Sequence, residues 1–113
     1  MKQVNSISIK ELQKMAEKMY GNLVKADVDV AKRLLLVDME LHADGEAYLL
    51  DNGSSQQDIW GFNLYPQKFK TDEFIEFDSM INIKPSLGNT SRNVLSADVR
   101  ARITEIVKGA VHD

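Results

Sequence analysis

A chain of 113 residues is long enough to bury one core and too short for two, so a single domain over residues 1–113 is expected. Apolar residues at 43% and charged residues at 27%, with six glycines and two prolines, exclude the disordered and fibrous classes. The formal charge of −3 argues against general nucleic-acid binding, and the absence of cysteine removes disulfides, thiolate zinc sites and cysteine nucleophiles.

The N-terminal run MKQVNSISIK lacks the apolar stretch of about 7 to 15 residues that a secretory leader needs. The longest apolar run, Leu34 to Val37, is far short of the roughly 20 residues of a membrane span. A cytoplasmic protein that makes no use of a membrane is the expectation. Ser8 and Glu11 have capping-box spacing, and Leu12, Met15, Ala16 and Met19 follow at helical intervals until Gly21, which predicts a helix over residues 9–20.

From Leu23 the period changes to two, with Val24, Ala26, Val28 and Val30 on one face and Lys25, Asp27 and Asp29 on the other. A second strand over about residues 33–41 follows at once, so the two form an antiparallel hairpin. A register that sets Lys25 opposite Asp38 avoids the like-charge pair Asp27 and Asp38, and it implies a short turn at Ala31 and Lys32. The segment HADGEAYLLDNGSS contains the hairpin signal Asp44-Gly45, but its spacing of Ala43, Ala47 and Leu50 favours a short helix from Asp44, as N-cap, to about Asp51.

Trp60, Phe62 and Leu64 then alternate with Gly61, Asn63 and Tyr65 in a strand closed by Pro66. Ile75, Phe77, Ile81 and Ile83 alternate with Glu76, Asp78, Asn82 and Lys84, which predicts a fourth strand. A last helix begins near Ala97, capped by Ser96 or Asp98, with Val99, Ile103, Ile106, Val107 and Ala110 as its apolar stripe. The order αββαββα implies an α+β fold, a four-stranded, mainly antiparallel sheet packed with three helices in one helical layer.

Charge is unevenly spread. Residues 38–78 hold ten acids against Lys68 and Lys70, whereas residues 1–37 are +3 and residues 79–113 are +2. An acidic middle between basic ends offers complementary surfaces for a homo-oligomer or another partner, although a solvated surface is the plainer explanation.

The runs GNLVKADVDV, ELHAD, DIWGFNLYP and FIEFDS-MINIKPS, with a glycine-asparagine and a serine-arginine pair after them, resemble a small bacterial and archaeal family known only as a domain of unknown function. The likeness spans nearly the whole chain. It implies a compact single-domain protein and supplies no activity.

No catalytic signature occurs, so sites are argued from polar residues in positions that disfavour them. Asn63 and Asn82 both occupy predicted mid-strand positions on the polar face, beside Tyr65, Asp78 and Lys84. The loop that follows carries Gly88, Asn89, Ser91 and Arg92, the ingredients of an anion cradle. The expectation is a concave ligand site with Asn63, Tyr65, Asp78, Asn82 and Lys84 as wall and Asn89, Ser91 and Arg92 as lid; each also reads as ordinary sheet surface or turn. Asn82→Val is expected to leave the fold intact.

A third group, His42 with Asp38, Glu40 and Asp44, has residue types suited to a metal or an acid–base pair, but charges on the solvent face of a strand explain it as well, and no metal or cofactor is expected. The favoured role is a binding or regulatory module. The alternatives are a small enzyme acting on an anionic or nucleotide-like substrate, with His42 or Asp78 as base and Lys84 and Arg92 stabilising charge, and a structural self-association protein.

Overall fold

Ser8 opens the first helix as its spacing requires, its hydroxyl accepting from the Glu11 N–H at 3.1 Å. The computed structural model describes residues 1–113, and this helix, α1, runs over Ile9–Lys18. Two short strands precede it, β1 (Lys2–Val4) and β2 (Ile7–Ser8). The chain continues through β3 (Val24–Asp29), β4 (Leu34–Val37), α2 (His42–Asp51), β5 (Ile59–Leu64), β6 (Ile75–Glu76), α3 (Ala97–Ala110) and β7 (Val111–His112). No helix is long and apolar enough to cross a membrane.

The fold is α+β with three helices, but the main sheet has five strands rather than four, in the order β1-β4-β3-β5-β6 with every neighbour antiparallel. The additional strand is β1, whose three residues are too few to show an alternation. A separate parallel pair, β2 with β7, ties the two ends of the chain together.

The hairpin has the register that the charge argument favours, Asp27 opposite Leu36 and Asp29 opposite Leu34. Its pairing stops earlier than expected, at Ala26 with Val37, and Asp38 turns away with φ at 66°. The turn is longer than two residues because Asp29 Oδ1 accepts from the N–H groups of Ala31 and Lys32, replacing strand pairing with a side-chain cap.

β5 lies between β3 and β6 with all six residues buried. Trp60, Phe62 and Leu64 join the main core with Val24, Ala26 and Val28 of β3 and with Leu12 of α1 and Ile103 and Val107 of α3. The opposite face is not left to solvent. Leu36, Met39 and Ile59 meet Leu49 of α2 there, so α2 forms a second helical layer and the single layer expected is corrected to one on each side. The polar residues of β3 and β5 on that face are therefore covered.

The fourth strand is the largest departure. Only Ile75 and Glu76 pair, opposite Leu64 and Asn63; the chain then leaves the sheet and makes a 3-10 turn at Met80–Asn82. Asn82 is on no strand. Its side chain takes over part of the sheet edge instead, Oδ1 accepting from the Gly61 N–H at 2.8 Å and Nδ2 donating to the Gly61 carbonyl at 2.9 Å. A planar amide offers a donor and an acceptor side by side, as a neighbouring strand does, which explains why alternation survives here without a strand.

Candidate functional site

Alternation along β3 sends Asp27 to the face that α2 covers, and alternation along β5 sends Asn63 to the same face, two residues along from Gly61, which pairs with Asp27. α2 begins where Leu41 is extended and the Leu41 N–H donates to Asp44 Oδ2 at 3.2 Å; Asp44 thus caps from inside the first turn rather than as the N-cap residue. That start points His42 down into the sheet. Its Nδ1 lies 2.9 Å from Asp27 Oδ1 and 3.2 Å from the Ala26 carbonyl, and its Nε2 lies 3.0 Å from Asn63 Oδ1.

Two glycines make this approach possible. A Cβ on Gly61 would stand 2.9 Å from His42 Nδ1 and 2.8 Å from Ser79, and a Cβ on Gly45 would collide with Asp27 Oδ2. The Asp27–His42 pair lies in the space those two side chains would occupy.

Proton positions follow from the partners. Asn63 Nδ2 donates to Glu76 Oε1 at 2.8 Å, so its Oδ1 faces His42 and accepts a proton from Nε2. Nδ1 faces a carboxylate and a carbonyl, and a carbonyl can only accept. Both ring nitrogens thus face oxygen acceptors, and a single proton can be shared between Nδ1 and the Asp27 carboxyl. Asp27 is fully buried and its Oδ2 has no hydrogen-bond partner. Burial pushes its carboxyl up to about 6, and the hydrogen bond and charge of His42 keep it from rising further. Glu46 acts in both directions, its charge raising the value and its backbone N–H lowering it without closing a hydrogen bond to Oδ2 of ordinary geometry.

The network continues outward. Glu76 Oε1 also accepts from the Tyr65 hydroxyl at 2.9 Å. Tyr65 is pushed up to about 12 by burial first, then by the bond to Glu76 and the charges of Glu76 and Asp78. Above His42 and Asn63 a cleft of about 220 Å³ opens, with Lys25, Asp78, Met80 and Arg92 on its walls. Arg92 Nε donates to Asp78 Oδ1 at 2.7 Å, both side chains being about half exposed.

The residues expected to form one site are divided. Asn63, Asp78 and Arg92 line this cleft, with Tyr65 attached through Glu76. The loop returns to the Met80–Asn82 turn, since the Arg92 carbonyl accepts from the Ser79 N–H and from Asn82 Nδ2. Asn89 is consumed inside that loop, Nδ2 donating to the carbonyls of Asn82, Ser91 and Asn93 and Oδ1 accepting from the Leu95 N–H. The Ser91 hydroxyl accepts from the Asn93 N–H, and Lys84 faces a different cleft. His42 is on a helix and not beside Asp38 and Glu40 along a strand, and no cluster of three potential metal ligands forms.

Asp27, Glu76 and Gly45 are not marked as site residues by the sequence. A carboxylate within a six-residue strand and a glycine within a helix were the available signals, since each is disfavoured unless the two meet.

No curated protein and no solved structure matches the chain. A family model matches residues 3–110, nearly the whole length. The chain that builds this covered aspartate–histidine pair belongs to the family described as a protein of unknown function, DUF5674.

Proposed function

We propose that the protein is a binding module that takes a small polar ligand bearing a carboxylate in the cleft above His42 and Asn63. The observation that supports this reading is a locked pair of polar side chains, set among Leu41, Met80 and Ile81, with two cations at the edge of the cleft. His42 and Asn63 hold each other at 3.0 Å, while Lys25 and Arg92 stand on the walls with Asp78 as the only carboxylate of the lining. The volume of about 220 Å³ suits few heavy atoms. It lies below the roughly 300–1,000 Å³ of sites for larger ligands. A bound carboxylate would compete with Asp78 for the Arg92 guanidinium, whose planar fork matches it in geometry.

The test is an NMR titration of the labelled protein with a panel of small carboxylates. Saturable shifts at residues 42, 63 and 78–80 are expected, weakened in Lys25→Ala and Arg92→Ala. A panel that leaves these positions unmoved at millimolar concentration, or variants that bind as the parent does, would defeat the reading.

One observation favours an enzyme as the second reading. A histidine oriented through Nδ1 by a buried carboxylate is the arrangement used for proton transfer at Nε2. Here Nε2 is engaged by Asn63 Oδ1, so a substrate would have to displace that amide before taking the proton. Turnover of an ester or phosphoester substrate that Asp27→Asn abolishes would establish this role in place of binding alone.

A further inference from the structure

Lys84 is only 6% exposed and forms no ion pair. Its ammonium donates one hydrogen bond, to the Ile81 carbonyl at 3.1 Å, and lies 5.2 Å from the centre of the Trp60 ring. An ammonium has three donors, so two remain. An aromatic face and one carbonyl offset the lost hydration only in part, and a buried cation without a counter-charge is costly. Burial accordingly pushes the Lys84 pKa down, opposed only by the charge of Glu46. That carboxylate is itself held by the Gln56 side-chain amide at 2.5 Å.

Lys84 is placed by two constraints independent of any ligand. The Asn82 clamp on Gly61 fixes the chain two residues earlier, and the Lys84 backbone pairs with Asn89 across the Pro85–Gly88 turn, closed by Gly88 at φ 75°. The side chain is thereby held against a cleft of about 640 Å³ separate from the His42 site. The lining carries Ser55, Gln57 and Ser86 with Lys84, and no carboxylate at all, although the chain is acidic overall.

We propose that this second cleft binds an oxyanion group, a phosphate or carboxylate, which supplies the direct ion-pair partner Lys84 lacks while the serine hydroxyls and the Gln57 amide take its remaining oxygens. The anion cradle thus lies on the Ser86 side of the loop. It does not involve Asn89 and Ser91, whose polar groups are turned inward.

The experiment titrates the parent chain with sodium phosphate and, separately, sodium acetate, at ionic strength held constant with chloride. Readouts are backbone amide shifts and the emission of Trp60, the only tryptophan, whose ring the ammonium overlies. Saturable shifts confined to residues 55–57 and 83–87 are expected, with a parallel change in emission; the more effective salt identifies which oxyanion is preferred.

Lys84→Met should weaken binding at least about tenfold, because the charge-assisted contact is lost, while Lys84→Arg retains it. Arg92→Ala, which disables the first cleft, should leave it unchanged, so the two proposals fail separately. Equal shifts with chloride alone, shifts mapping to the Arg92 cleft, or undiminished binding by a folded Lys84→Met chain would overturn the proposal. Should the methionine variant not fold, the location of the shifts in the parent still decides.

Discussion

Gly45 of α2 lies directly over the carboxylate of Asp27 on β3, and a methyl group at residue 45 would occupy the place of Oδ2 while pressing to 2.9 Å of Met39 Sδ. Glycine within a helix costs about 1 kcal/mol relative to alanine. The local penalty is therefore accepted for a close approach of helix to sheet, and it is this approach that brings His42 onto Asp27.

Gly45→Ala should destabilise the protein by about 1–3 kcal/mol despite its better helix propensity, because backbone and a buried carboxylate must separate. Gly109→Ala in α3 is the control. Its Cβ meets nothing within 4 Å, and the substitution should stabilise by a few tenths to about 1 kcal/mol. Urea denaturation of both variants checks the contrast, and equal effects would show that α2 does not depend on the glycine.

Asp27 should give the protein a pH dependence opposite to that of an ordinary ion-paired acid. Its carboxyl titrates at about 6 in the folded state against 3.8 ordinarily, so the folded state binds the extra proton. Its contribution is fully present below pH 3.8 and is lost as pH rises through about 6, by roughly 3 kcal/mol in all. Asp27→Asn lacks this dependence, so the parent-minus-variant stability should fall between pH 4 and pH 7. A difference that is flat or rises with pH would contradict the assignment.

Legibility in the sequence followed how local the determinants were. The Ser8 and Ser96 caps, the hairpin register and the buried Trp60 strand could be read directly, because each rests on residues within one or two elements. The two-residue pairing of β6 could not, since Ile81 and Ile83 keep a period of two while Asn82 replaces the strand with its side chain. The chemistry of His42 is legible in its residue type, but its neighbours are not. Its partners are 15 and 21 residues away, and only the covering of the polar face by α2 brings them together.

Tyr65 should ionise near pH 12, above its ordinary value of 10, because it is partly buried and its hydroxyl is held by Glu76. Glu76→Gln removes both the charged acceptor and its repulsion of the phenolate. The value should then fall toward 10 without reaching it, since burial, the largest cause, and Asp78 remain. Ultraviolet titration of tyrosine absorbance resolves this step; a variant that titrates as the parent does would remove Glu76 from the network.

Asn82→Val tests whether the asparagine belongs to the framework or to a ligand. Its amide satisfies the Gly61 N–H, the Gly61 carbonyl and the Arg92 carbonyl, all from a fully buried position, and valine satisfies none of them. Leaving a buried polar group unpaired costs about 1–3 kcal/mol, so the variant should lose roughly 3 kcal/mol or more, against the expectation from strand propensity that the fold tolerates it. The loop that carries Asp78 and Arg92 should loosen at the same time, because the Arg92 carbonyl loses one of its two donors. Hydrogen exchange gives the decisive reading. The Gly61 amide should be protected in the parent and exchange quickly in the variant, whereas retained protection with parental stability would mean that the sheet edge is held by something other than this side chain.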